Sequence, residues 1–180
     1  MPDIWFDNSL KLWKKAERRY AQVLKDRYWD NLVDLEFAPD KTFKDWDIRI
    51  KVLEDWEVHV KTYEIKSDTK SQETWNFVVE FYSRGKPSWI ARTKADYWCH
   101  YTLPSKYYED GGWREQNTEE LKKKLKEKKW YVVNWWDKKA TRMFRIPCRE
   151  LPNFFYKIDT DIKWGEMEDE EFLINQPASC

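Results

Sequence analysis

Glycine is scarce: there are 4 in 180 residues, where average usage near 7% would give about 13. That excludes a collagen-like chain and a Gly/Ser linker, and no Walker loop or Gly-x-Gly-x-x-Gly run is present to cradle a phosphate. Histidine is scarcer still. His59 and His100 stand alone, so neither supports a Ser/His or Cys/His nucleophile. Cys99, Cys148 and Cys180 show no CxxC spacing, which removes a structural zinc site. With Asp3, Asp7 and Lys11 interrupting the first residues there is no apolar leader, and a reducing cytosol is expected. No run of 18 apolar residues occurs, so no membrane span is expected. An excess of charge is missing too: Lys+Arg 33 balance Asp+Glu 33. A strongly basic nucleic-acid binder is thereby excluded, and any DNA site must be a local patch.

What is present is aromatic and charged. The chain holds 13 tryptophans, with 18% aromatic and 37% charged residues, a composition that intrinsically disordered chains lack. Charge is uneven along it. Asp159, Asp161, Glu166, Glu168, Asp169, Glu170 and Glu171 make residues 157–180 an acidic tail, which leaves residues 1–156 as a single, more basic domain.

The element order follows from periodicity. Leu10, Trp13, Ala16, Tyr20, Val23 and Leu24 recur at three- and four-residue steps, which predicts a helix from Asn8 or Ser9 to about Tyr28. Alternation predicts strands over 32–37, 43–52 and 58–66, and 76–82 reads as a central strand. A turn is expected at Gly85-Lys86-Pro87-Ser88, then a short strand over 97–101. Asn117-Thr118-Glu119-Glu120 carries the cap and the later glutamate of a capping box, opening a helix to about Lys129. A hairpin over 130–134 and 141–146 follows, and beyond Leu151 the pattern fades. The class is α/β (α+β).

The residues with chemistry are Asp47, Glu64 and Lys66. Residues two apart on a strand share a face, so Glu64 and Lys66 project together while Ile65 turns to the core. Asp47 reaches them if the two strands pair. Two carboxylates suit Mg²⁺, which binds through one or two of them and keeps several waters. A bound metal activates water and neutralises charge on a phosphate, and a neighbouring lysine stabilises that charge. Glu80 ends an apolar strand, where it suits a place near the metal or a solvated strand end. Lys94 suits a phosphate contact or a solvated helix face. Lys122, Lys123 and Lys126, in a run with Lys124, Lys128 and Lys129, suit a nucleic-acid backbone or a solvated face.

Asp47 … Glu64-Ile65-Lys66 resembles the PD-(D/E)XK nuclease signature, with Trp46 in place of its proline. Glu17 in Glu17-Arg18-Arg19-Tyr20 is similar to the helix glutamate that joins the metal site in Holliday junction resolvase-like members. Thr62 to Asp68, Asn76 to Glu80, Gly85 to Ser88 and Thr93 to Tyr97 resemble a phage and bacterial group of these nucleases. The resemblance spans roughly residues 9–151. It implies a restriction-endonuclease-like core, a mixed central sheet flanked by helices. It also implies a DNA endonuclease, structure-selective in the manner of resolvases, using Mg²⁺ or Mn²⁺. Glu17, Asp47 and Glu64 would hold the metal, and Lys66 would position water. A homodimer in the cytoplasm of a prokaryotic or phage-infected cell completes the expectation. Two other classes compete: a nucleic-acid-binding protein that keeps this fold without cleavage, and a protein-interaction module using exposed aromatics.

Several tryptophans fall where turn chemistry asks for glycine. Asp55-Trp56 and Asn134-Trp135-Trp136 replace the Asp-Gly and Asn-Gly of hairpins. Trp29 follows a helix end, Trp75 and Trp89 stand where the nucleases that the chain resembles look to have glycine, and Trp13 is expected on the buried side of the first helix. These seven positions are expected to be glycines whose UGA codons are read here as tryptophan.

Overall fold

The computed structural model describes residues 4–39, 45–68, 76–102, 112–128, 132–134 and 141–158. Helix α1 (Ile4–Tyr28) comes first. It starts earlier than predicted, so Asn8 and Ser9 lie inside it and do not cap it. Ala16, Tyr20, Val23 and Leu24 are its buried stripe. Its last turn carries Lys25 and Arg27, which suit the negative end of the helix dipole.

Strands β1 (Leu32–Phe37), β2 (Ile48–Glu54) and β3 (Glu57–Asp68) form an antiparallel meander. Strand β2 begins at Ile48, five residues after the predicted start. Strand β6 (Tyr97–Thr102) then runs parallel to β3. Strands β7 (Gly112–Asn117) and β10 (Tyr156–Lys157) complete a six-stranded mixed sheet of order β1-β2-β3-β6-β7-β10. Neither β7 nor β10 is predicted by the sequence pattern. Strand β7, Gly-Trp-Arg-Glu-Gln-Asn, is mostly polar, and only Trp113 signals burial from sequence. A second sheet contains β4 (Asn76–Ser83), β5 (Lys86–Pro87), β8 (Val132–Asn134) and β9 (Arg142–Pro147), in the order β5-β4-β9-β8. The predicted hairpin is β8 against β9. Strand β4 is interior, but in this second sheet rather than the main one.

Helix α2 (Thr118–Glu127) is capped by Asn117, whose side chain accepts from the backbone of Glu119 and Glu120. The reciprocal bond of a capping box comes from Gln116 Oε1, which accepts the Asn117 backbone N–H at 2.9 Å; Glu120 was expected there. A short helix, α3 (Leu151–Phe154), leads into β10. The architecture is α/β, a restriction-endonuclease-like core with a mixed central sheet between helices.

The two faces of the main sheet are packed differently. On one, α1 buries Tyr20, Val23 and Leu24 against Ile48, Ile50, Val52, Tyr63, Ile65, Cys99 and Trp113. On the other, Trp98 joins Phe77, Val79, Ile146, Leu121 and Leu125 from the second sheet and α2. The period-two alternation decides which residue serves which face. Ile65 goes to the helix side, so Glu64 and Lys66 face the other way.

The tryptophan expectations divide. Trp56 sits at φ 66, after Asp55 at φ 51, and Trp89 sits at φ 39. Trp13 is 41% exposed, so it is not on the buried side of α1. Trp29 lies in a 3-10 turn (Trp29–Asn31), 76% exposed, without the positive φ of a glycine stop. Trp75, Trp135 and Trp136 lie outside the described residues, as does the acidic segment from residue 159 on.

Candidate active site

The pairing of β2 with β3 places Ile48 opposite Tyr63, and this sets the site. Asp47, one residue before β2, donates its backbone N–H to Tyr63 O at 2.8 Å. Its carboxylate Oδ2 accepts the Ile65 backbone N–H at 2.7 Å. Two hydrogen bonds to β3 thus fix Asp47 beside Glu64 and Lys66. Lys66 Nζ stands 3.4 Å from Asp47 Oδ2 and 2.5 Å from Glu64 Oε1. Sharing one ammonium, the two carboxylate oxygens lie within about 6 Å of each other. Glu64 Oε2 accepts from Thr93 Oγ1 at 2.9 Å. The rings of Trp89 and Trp98 lie 5.9 and 5.8 Å from Lys66 Nζ.

The titration behaviour reflects this crowding. Burial, and then the charge of Asp47, raise the Glu17 carboxyl from 4.5 to about 7, with a further upward push from Glu64 and opposition from Lys66 and Lys14. Glu17 on α1 is therefore within electrostatic reach of all three residues. Glu64 is raised as well, chiefly by burial, against the pull of Lys66. Burial works to lower the Lys66 ammonium, but Glu64 and Asp47 outweigh it and hold it above the usual lysine range. Lys66 is charged, and it is the cation the carboxylates already share. Among the described residues no three His, Cys, Asp or Glu side chains stand close enough to enclose a metal ion as they are placed.

The lysines assigned to nucleic acid fall into two groups. Lys94 lies in the extended link between Ala91 and β6, not on a helix, and its Nζ pairs with Asp45 Oδ2 at 3.0 Å. Lys122 on α2 pairs with Glu119 at 2.7 Å and donates to the Thr93 carbonyl at 3.4 Å. Thr93 alone thus stands between Lys122 and Glu64. Lys123 and Lys126 are exposed on the same helix, where they line a shallow hollow with Lys122, Glu119 and Glu127. Glu80 belongs to the second sheet, where its carboxylate accepts from the Ser88 hydroxyl.

Sequence reasoning missed Thr93 as a site residue. Its only signal was position, in the Thr93-Lys94 segment. It also missed a buried polar row beside Lys66. The register aligns Lys66 with His100, and His100 with Arg114. His100 is buried, and its ring packs at a tilt on Phe77, 3.9 Å between centroids. Burial, reinforced by the charges of Lys66 and Arg114, holds His100 well below the usual histidine range, so it is neutral.

No protein-family model matches the chain, and no curated protein matches it. Among solved structures the chain is similar to one described as "Structure of D212, a nuclease from a fusselovirus", at 11% identity. The match has a TM-score of 0.41 and covers 87% of this chain and 89% of that one. Among the described residues no helix is long and apolar enough to cross a membrane.

Proposed function

We propose that the protein is a metal-dependent DNA endonuclease of the PD-(D/E)XK type, acting in the manner of Holliday junction resolvases. The observation that carries this is the meeting of Asp47, Glu64 and Lys66 at one end of β2 and β3, with both carboxylates within 3.4 Å of Lys66 Nζ. The donor set fits a hard divalent cation: the carboxylates of Asp47 and Glu64 already gather around one positive charge, and burial, then the charge of Asp47, raise the nearby Glu17 to about 7. Asp47 and Glu64, with Glu17, would hold Mg²⁺ or Mn²⁺. Lys66, which pairs with both carboxylates, would then be the cation nearest the substrate phosphate. Bound there, the ion supplies an activated water and neutralises phosphate charge.

The chain's own groups do the rest. Asp47 is oriented by the Ile65 N–H, and Glu64 by Thr93. Lys66 offers its ammonium to the attacked phosphate or its water, in a setting where burial strengthens the interaction. Lys122, Lys123 and Lys126 continue from Thr93 along α2 and, with Lys94, take the phosphate backbone. A homodimer on a branched substrate follows from the resemblance.

The test is cleavage of branched and linear DNA with Mg²⁺ or Mn²⁺. Loss of cleavage in Lys66→Ala, with DNA binding retained, supports the reading. Binding without cleavage in either metal by the unaltered protein overturns it and favours the second reading, a non-catalytic DNA-binding protein. What favours that reading is that the Lys66 ammonium already pairs with both carboxylates.

A further inference from the structure

Glu64 has two oxygens, and the structure gives each a different neighbour. Oε1 meets Lys66 at 2.5 Å. Oε2 accepts from Thr93 Oγ1 at 2.9 Å. Thr93 is only 4% exposed and is itself held from three directions. Its N–H donates to Trp89 O at 3.0 Å, its carbonyl accepts from Lys122 Nζ at 3.4 Å, and the next N–H, of Lys94, donates to Asp45 O at 3.1 Å. Its hydroxyl has one proton. Asp45 O lies at 3.3 Å, farther than Glu64, and Ala95 N–H donates into the oxygen at 3.2 Å. Ala95 thus takes one of the oxygen's two lone pairs, and the shorter contact to a charged acceptor makes Glu64 the stronger partner for the proton. Asp45 is two residues from Asp47, so this link ties together the two segments that carry the carboxylates.

We infer that Thr93 is a positioning residue: its hydroxyl fixes the rotation of the Glu64 carboxylate so that one oxygen stays turned to the cation site. This rests on the metal-site reading above. Groups that orient metal ligands typically change metal affinity by 10–100-fold when removed. Thr93→Val keeps the shape and loses the hydroxyl, and Thr93→Ser keeps the hydroxyl.

The experiment is Mn²⁺ binding to the full chain without DNA, followed by electron paramagnetic resonance, with melting temperature measured in parallel. Thr93→Val is expected to weaken Mn²⁺ binding about tenfold or more, and Thr93→Ser to stay within about threefold of the unaltered protein. Equal affinity in Thr93→Val overturns the inference. So does Thr93→Ser binding as weakly as Thr93→Val, because packing rather than the hydroxyl then matters. Should Thr93→Val not fold, Thr93→Ala carries the same comparison. Unaltered protein that binds no Mn²⁺ overturns both this inference and the nuclease reading. Protein that binds Mn²⁺ but cleaves no DNA overturns the nuclease reading alone.

A separate observation concerns the turns. Glu54 pairs with Glu57 across Asp55-Trp56, and Ser83 pairs with Lys86 across Arg84-Gly85. Both are two-residue hairpins with both central residues at positive φ: 51 and 66 in the first, 51 and 81 in the second. This left-handed pair matches strand twist and favours glycine at its second position. The second hairpin has glycine there; the first has Trp56, 94% exposed, whose ring has almost nothing to pack on. We infer that position 56 is a glycine position whose UGA codon, read as glycine in the source, appears here as tryptophan. Trp89, by contrast, packs on the core cluster of Phe77 and lies over Lys66. The gene decides: UGA at position 56 supports the inference and UGG overturns it. Independently, Trp56→Gly is expected to raise the melting temperature by roughly 2–8 °C, from a left-handed cost of about 1–2 kcal/mol; an unchanged or lower value overturns the physical argument.

Discussion

The two faces of the main sheet are built from the same strands and each carries a hydrophobic cluster, but they differ in where they place charge. The face under α1 is mostly apolar, with Tyr20 packed against Trp113 at 4.8 Å between ring centroids and Leu24 fully buried. Glu115 lies on this face too, where it accepts from Tyr20 and pairs with Arg27 at 3.1 Å. The opposite face carries Glu64 and Lys66 on β3 and the buried His100 and Arg114 beside them. Both faces hold the fold together, the second through Trp98, Phe77, Leu121 and their neighbours. Only the second also encloses the Lys66 ion pairs, whose charges are costly to take out of water. Substitutions on the two should therefore separate activity from stability.

Lys66→Ala tests this most sharply. Cleavage is expected to fall by roughly 10²–10⁴-fold, while the melting temperature of the metal-free protein falls only modestly, because Asp47 and Glu64 lose the cation they share but no core packing is removed. A large loss of stability instead would show that the Lys66 pairs are structural. Leu24→Ala is the mirror experiment. It is expected to cost about 2–5 kcal/mol in chemical denaturation and to leave kcat of the folded fraction within a few-fold. A selective loss of kcat would break the division.

The charged face also makes stability depend on pH. Glu17 sits near 7 in the folded protein against an ordinary 4.5. The stability it contributes is fully present below about 4.5 and is lost as pH rises through about 7. Glu64, shifted in the same direction, adds to that trend. Without divalent metal, melting temperature should fall between pH 5 and 8, and Glu17→Gln should flatten the fall; a melting temperature that rises across this window refutes the sign. Mg²⁺ added at pH 8 should recover stability by linkage. The smallest effect is expected on α2. Lys123→Gln with Lys126→Gln should weaken DNA binding only a few-fold, and should lower the salt slope by about 0.9 for each phosphate the altered helix no longer neutralises. An unchanged slope would remove these lysines from the interface.

Much of the fold is legible in the sequence. The helix stripe of Ala16, Tyr20, Val23 and Leu24 and the alternation of 32–37 and 58–66 follow from side-chain period alone. So does the opposite facing of Ile65 and its neighbours Glu64 and Lys66. The glycine-demanding turn at Asp55-Trp56 is legible because a two-residue loop between alternating strands has few geometries. By contrast, β7 and β10 are hidden, since their polar residues gain strand structure only by pairing with β6 and with each other. Trp13 and Trp29 depart from expectation because the burial of a single position on a helix, or the path after its end, depends on what packs there.

The sequence by itself determined the two main helices, the strands with clear alternation, their order and the residue types able to bind a cation, because those depend on local periodicity and side-chain chemistry. Only the tertiary structure decided that Lys66 stands between Asp47 and Glu64, that Thr93 reaches Glu64 from 29 residues away, and that His100 is buried neutral beside them. Those facts depend on strand register and on the path of a link between strands. No local pattern encodes either, because both are set by which distant surfaces must be buried together.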